Sequence, residues 1–122
     1  MDRQLENAIR NSWDKKTCYP PNTNKRSLKN SSLGQCAVTA LVIQDYVGGK
    51  LLFCFHNNHY WNRLPNGEIV DLTKEQFPEG TLLCIDEIIE RTSCLTGKSA
   101  IQAKTNERYQ LLKSRVEKKI YV

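Results

Sequence analysis

No run of about 18 apolar residues occurs in the 122-residue chain, so no segment reads as a membrane-spanning helix. The opening stretch MDRQLENAIRNSW is charged and mixed, unlike a secretion signal, and a cytoplasmic protein is expected. No internal repeat or low-complexity tract is present. No basic run is interleaved with aromatics either. The net charge of +5, spread over Lys15, Lys16, Lys25, Arg26, Lys29 and the C-terminal segment, therefore reads as a solvated surface rather than a nucleic-acid footprint. Cysteine is present but unpatterned: Cys18, Cys36, Cys54, Cys84 and Cys94 are odd in number and lack the spacing of a disulfide framework. In a reducing compartment they are expected as thiols, most of them acting as small buried hydrophobes. There is no CxxC or HExxH element. A zinc site drawing on Cys54, His56 and His59 would rest on ligand types alone, and no cofactor is expected.

What is present suits one globular domain spanning residues 1–122. At 39% hydrophobic and 25% charged residues, the chain can bury one core without metal or disulfide staples. Leu5, Ala8, Ile9, Ser12 and Trp13 share one helical face, with Asp2 placed to cap it. Residues 14–32 carry Pro20, Pro21, three asparagines and several serines, and read as a long irregular loop ending near Cys36. The next fourteen residues, 34–47, are long for a strand and stop at Gly48-Gly49, which favours a helix capped by Ser31 or Ser32. Its two apolar stripes, Val38/Leu41/Val42/Tyr46 and Ala40/Ile43/Val47, make it a buried central helix. Strands are expected over 50–56, 59–64 and 68–73. TLLCI (81–85) reads as a further strand, DEIIER (86–91) as a helical turn, and 105–118 as an amphipathic helix with a basic outer face. The fold class is α+β, a buried central helix on a small antiparallel sheet.

The turn between the last two main strands carries the functional argument. In LPNGE, Pro65 suits the first central position of a type I turn, Asn66 the second, and Gly67 the left-handed site that follows. A three-residue turn pairs Leu64 with Glu68, Arg63 with Ile69, Trp61 with Asp71 and His59 with Thr73. His59, Trp61, Asp71 and Thr73 then share one face, and the β-carbons of His59 and Asp71 stand about 7 Å apart or less, a diagonal pair within side-chain reach. A two-residue turn would put Asp71 on the other face. Cys36, in the first turn of its helix, sits where unpaired amides and the positive end of the dipole favour a thiolate. A histidine beside it and a carboxylate behind the histidine would complete a nucleophile, base and orienting group. The structural alternatives are a plain buried thiol and a structural histidine. Trp61 walls either a substrate pocket or the core.

At these residues the sequence resembles the papain-like and transglutaminase-like cysteine superfamily, which places Cys at the start of a buried helix, His on a strand and Asp or Asn on the next. LGQCAVTALV, HYWNRLPNGEIVDLT and SWDKKTCYPP resemble more closely the YunG family of small bacterial proteins, over roughly residues 5–80 plus RYQLLKSRV. The superfamily resemblance implies Cys36 as nucleophile, His59 as base and Asp71 as orienting residue. It also implies an oxyanion donor upstream of the cysteine, for which Asn30 and Gln35 are the candidates. The expected activity is cysteine-dependent hydrolysis or acyl transfer on an amide-like bond, with a peptide or small amide as substrate. The alternative is a noncatalytic binding module that retains the core. Peptidase, amidase, deamidase and acyltransferase are not separated by sequence.

Overall fold

Asp2 starts the first helix as its position suggests. Its carboxylate accepts from the backbone N–H of Gln4 and Leu5, so two otherwise orphaned amides of α1 (Arg3–Arg10) are satisfied. The computed structural model describes residues 1–27 and 29–120. The helix ends at Arg10, before Ser12 and Trp13, yet both stay buried: the Ser12 hydroxyl donates to the Ala8 carbonyl, and Trp13 Nε1 donates to Thr39 Oγ1 at 2.9 Å.

The expected irregular loop contains a short 3-10 helix, Pro20–Lys25, and an isolated bridge between Ser27 and Asn30. Proline is compatible with the first turn of a helix, which is why the pair at 20–21 begins this one instead of forbidding it. The segment is tied down by Tyr19 N–H to the Gly34 carbonyl, and by Arg26 to the carbonyls of Ser31 and Trp13.

Helix α2 (Cys36–Val47) buries Val38 to Ile43 without interruption. It begins two residues later than expected, at Cys36, and neither serine caps it. Gln35 occupies the cap position without a side-chain bond to the helix, and the Ser32 carbonyl accepts from Gln35 N–H in a backbone turn. The Ser32 hydroxyl is buried without a hydrogen-bond partner among the described residues.

The sheet is antiparallel with strand order β3-β2-β1-β4, formed by β1 (Lys50–Cys54), β2 (His59–Arg63), β3 (Ile69–Val70) and β4 (Glu87–Ile89). Leu51 joins Leu64 and the α2 side chains in the main core, while Leu52, Cys54 and Trp61 form a second cluster with Leu83 packed against it. The alternation of strand side chains separates the two clusters onto opposite faces. The register between β2 and β3 is the one the turn specifies: Arg63 pairs with Ile69, Asn62 pairs with Val70, and Leu64 N–H donates to the Glu68 carbonyl at 2.8 Å. The ladder ends at Val70, so Asp71 leaves the sheet just past its last pair.

Two expectations for the later chain are reversed. TLLCI is not a strand, with Leu82 and Ile85 exposed, and β4 instead falls inside DEIIER. Leu51, Leu52 and Phe53 present an open edge that pairs with Ile89, Ile88 and Glu87, and the Asp86 carboxylate accepts from Phe55 N–H at 2.7 Å. Pairing with a waiting strand edge overrides a local helical preference. Beyond lie α3 (Arg91–Thr96), α4 (Lys98–Gln102) and α5 (Thr105–Ile120), the last burying Tyr109, Leu112 and Val116 against α2 and α1. Arg91 links these helices: its guanidinium donates to the Leu41 carbonyl, Gln44 Oε1, Asp45 Oδ1 and the Tyr109 hydroxyl.

Gly49 and Gly67 both hold φ near +90°, at +87° and +89°, but in different surroundings. A β-carbon on Gly49 would stand 2.2 Å from the Arg63 carbonyl oxygen, whereas one on Gly67 meets nothing within 4 Å. Gly67→Ala is therefore expected to cost only the left-handed strain, about 1 kcal/mol. Gly49→Ala is expected to cost on the order of 3 kcal/mol or more because backbone must shift. Urea unfolding of the two variants checks this; equal losses would show that conformation alone, not the close approach, matters at Gly49.

Candidate active site

Three short elements end at the same place. Cys36 is the first residue of α2, His59 the first residue of β2, and Asp71 the first residue after β3. The Cys36 side chain is half-buried at the helix end whose amides have no intrahelical acceptor. His59 is fully buried, and its Nε2 lies 2.7 Å from Asp71 Oδ2. Asp71 is fixed in turn, since its Oδ1 accepts from Thr73 N–H at 3.2 Å and the Thr73 hydroxyl at 3.4 Å. Because a carboxylate can only accept, the neutral imidazole carries its proton on Nε2, which leaves Nδ1 as a lone-pair acceptor.

That Nδ1 atom is buried and has no hydrogen bond of ordinary geometry among the described residues. The group that acts on the ring besides Asp71 is the Cys36 thiol. The ring is also clamped by aromatics: Trp61 stacks on it at 5.3 Å between centroids, and Phe77 meets it edge-on at 4.9 Å. Burial alone would disfavour the imidazolium and is the largest single influence on it. The Asp71 hydrogen bond, then the hydrogen bonding and charge of Cys36, outweigh it together and push His59 up to about 9.

Cys36 opens into a cavity of about 680 Å³, walled by the 19–22 loop, by Asn57 and Tyr60, by Phe77, and by Cys94, Thr105 and Arg108 from the C-terminal helices. The other residues singled out in the sequence stand elsewhere. Trp61 is buried behind His59 and does not line this cavity, because its strand position faces the second cluster with Leu52 and Cys54. The Gln35 side chain is fully buried, with its amide nitrogen donating to the Asp14 carbonyl at 3.1 Å. Asn30 sits at the Ser27 bridge, its Oδ1 buried without a partner among the described residues, and neither it nor Gln35 lines the cavity. Cys54, His56 and His59 are not gathered: His56 is exposed in the β1–β2 turn, and no group of three or more metal-ligating side chains comes together among the described residues.

Two wall residues escape the sequence reading. Phe77 sits in a stretch with no periodicity. Arg108 belongs to the helix face read as basic and outward, yet only 7% of it is exposed. The available signal is its spacing, one turn before Leu112 and on the stripe of Thr105, Tyr109 and Val116.

The sequence profile of a family described as "YunG protein" matches residues 2–121. A Bacillus subtilis (strain 168) protein described as "Uncharacterized protein YunG" is 37% identical over 71 residues, which is 57% of this chain and 56% of that protein. The aligned part of the chain thus spans about half the length of that relative. No solved structure matches. The profile runs over nearly the whole chain, cysteine, histidine and aspartate included, and the protein belongs to the YunG family.

Proposed function

We propose that the protein is a cysteine-dependent hydrolase or acyltransferase acting on an amide-like bond, built on a papain-like or transglutaminase-like core, with Cys36, His59 and Asp71 as its triad. The observation that carries the reading is the fully buried His59, bonded through Nε2 to Asp71, with Nδ1 left without a partner among the described residues and the ring under the influence of Cys36 at the start of α2. A structural histidine buried to this degree would be expected to use both ring nitrogens.

In this mechanism the Cys36 thiol gives its proton to His59 Nδ1. The thiolate attacks the carbonyl carbon, and the Cys36 N–H at the start of α2 receives the developing oxyanion. Collapse of the tetrahedral adduct breaks the carbon–nitrogen bond while the His59 imidazolium protonates the leaving nitrogen. Water, or an acceptor nucleophile, then attacks the thioester with His59 as base and frees the thiol. Asp71 holds the ring's tautomer and orientation throughout. Trp61 and Phe77 act on the ring by packing. Asn30 or Gln35 could serve as a second oxyanion donor only by turning toward the cavity. The substrate is a peptide or small amide entering the cavity at Cys36.

p-Nitrophenyl acetate provides the direct test. Wild type is expected to release nitrophenolate and to carry a transient acetyl group on Cys36, found by peptide mass spectrometry, while Cys36→Ala stays folded and inert. Cys36 is also expected to react with iodoacetamide at near-neutral pH on the order of tenfold faster than in His59→Ala. Inert behaviour of Cys36 in wild type toward both reagents would turn the reading over to a binding module.

The pH dependence follows from His59. Its folded value, about 9, lies above the ordinary 6.5, so its contribution to stability is fully present below pH 6.5 and is lost as pH rises through about 9. The full linkage amounts to about 3 kcal/mol at most. The imidazole NMR titration of His59 is expected near pH 9. Asp71→Asn should move it down, because the Asp71 hydrogen bond is the largest influence favouring the imidazolium. An unchanged midpoint in Asp71→Asn would remove Asp71 from the triad.

A further inference from the structure

The cavity beside Cys36 has a cationic wall that the triad does not use. Arg108 lines it with only 7% of its surface exposed. Its Nε donates to the Ala103 carbonyl at 2.9 Å, Nη1 to the Thr17 carbonyl at 3.0 Å and Nη2 to Thr105 Oγ1 at 3.4 Å. All three acceptors are neutral. Arg10, Arg91 and Arg115 each pair with a carboxylate, whereas Arg108 has no ion pair among the described residues. Neutral acceptors satisfy N–H groups but leave the charge uncompensated, and an arginine stays protonated even when buried. The guanidinium has N–H groups left over on the two terminal nitrogens, held in one plane, a geometry that matches a planar carboxylate. Cys36 lines the same cavity.

We propose that the cavity takes a substrate that carries a carboxylate, which pairs with Arg108 while the acyl carbon stands at Cys36. The proposal rests on the acyl-transfer reading for its second half only; the anion site stands on Arg108 by itself. A volume of about 680 Å³ holds a small molecule or the end of a chain. The carboxylate therefore belongs to a small amide-bearing acid or to a peptide terminus, and Arg108 fixes which acyl group faces the thiol.

Iodoacetate and iodoacetamide are matched in size and differ in charge. The ratio of their rates at Cys36 is expected to be about tenfold higher in the folded chain than in the chain unfolded in urea, the size of one charge-assisted hydrogen bond. Arg108→Gln should remove that preference and Arg108→Lys should keep much of it. Glutarate should protect Cys36 from iodoacetamide saturably and glutaramide should not. If Arg108→Gln fails to fold, this wild-type comparison decides alone. A preference that survives Arg108→Gln, or equal protection by glutarate and glutaramide, overturns the proposal. Stronger protection by inorganic phosphate overturns the choice of a carboxylate. Triglycine protecting where glutarate does not assigns the carboxylate to a peptide end. Slow labelling by both reagents strikes the thiol chemistry alone. The anion site is then read from Cys36→Ala, whose Tm glutarate should raise; no shift there overturns it.

Discussion

Helix α2 is apolar around nearly its whole girth, and a helix of that kind has to be covered on every side. The rest of the structure meets that demand. One face takes the sheet, with Asn62 donating through its side chain to the Ala40 carbonyl. The others take α1 and α5, whose Leu5, Ile9, Leu112 and Val116 belong to the same core. The two ends of α2 are less covered than its middle, and Cys36 sits half-buried in the first turn. Cys36, the first residue of this buried helix, lines the cavity.

The second organising feature is the way polar groups are buried around that opening. Asp71 is held by Thr73 and holds His59, and His59 is packed between Trp61 and Phe77. Each link fixes the next, so the imidazole has little freedom to choose another partner. The half-buried Cys36 thiol and Arg108, which has no ion pair among the described residues, line one cavity.

Much of this was legible before the fold was known. Period and length identify α1, α2 and α5, and Pro65-Asn66-Gly67 sets a three-residue turn whose register carries Asp71 to the face of His59. The observed pairing of Arg63 with Ile69 is that register. Less was legible where the chain depends on what it meets. DEIIER has a helical local pattern and becomes a strand because β1 offers an edge. TLLCI has a strand's composition but joins no strand, and Leu82 and Ile85 stay exposed. Trp61 shares the face of His59, as the register requires, but that face is a second small core rather than a pocket wall.

The sequence by itself therefore determined the central helix and the hairpin register, since each follows from interactions between near neighbours along the chain. Turn geometry, helical period and side-chain alternation act over a few residues and need no partner from elsewhere. Only the tertiary structure decided what surrounds the thiol: that Gln35 turns to Asp14, that Phe77 closes over His59, and that Arg108 points inward without a carboxylate. Those contacts join segments far apart in sequence. Their energies depend on burial and on the dielectric of a cavity that does not exist until the helices have packed.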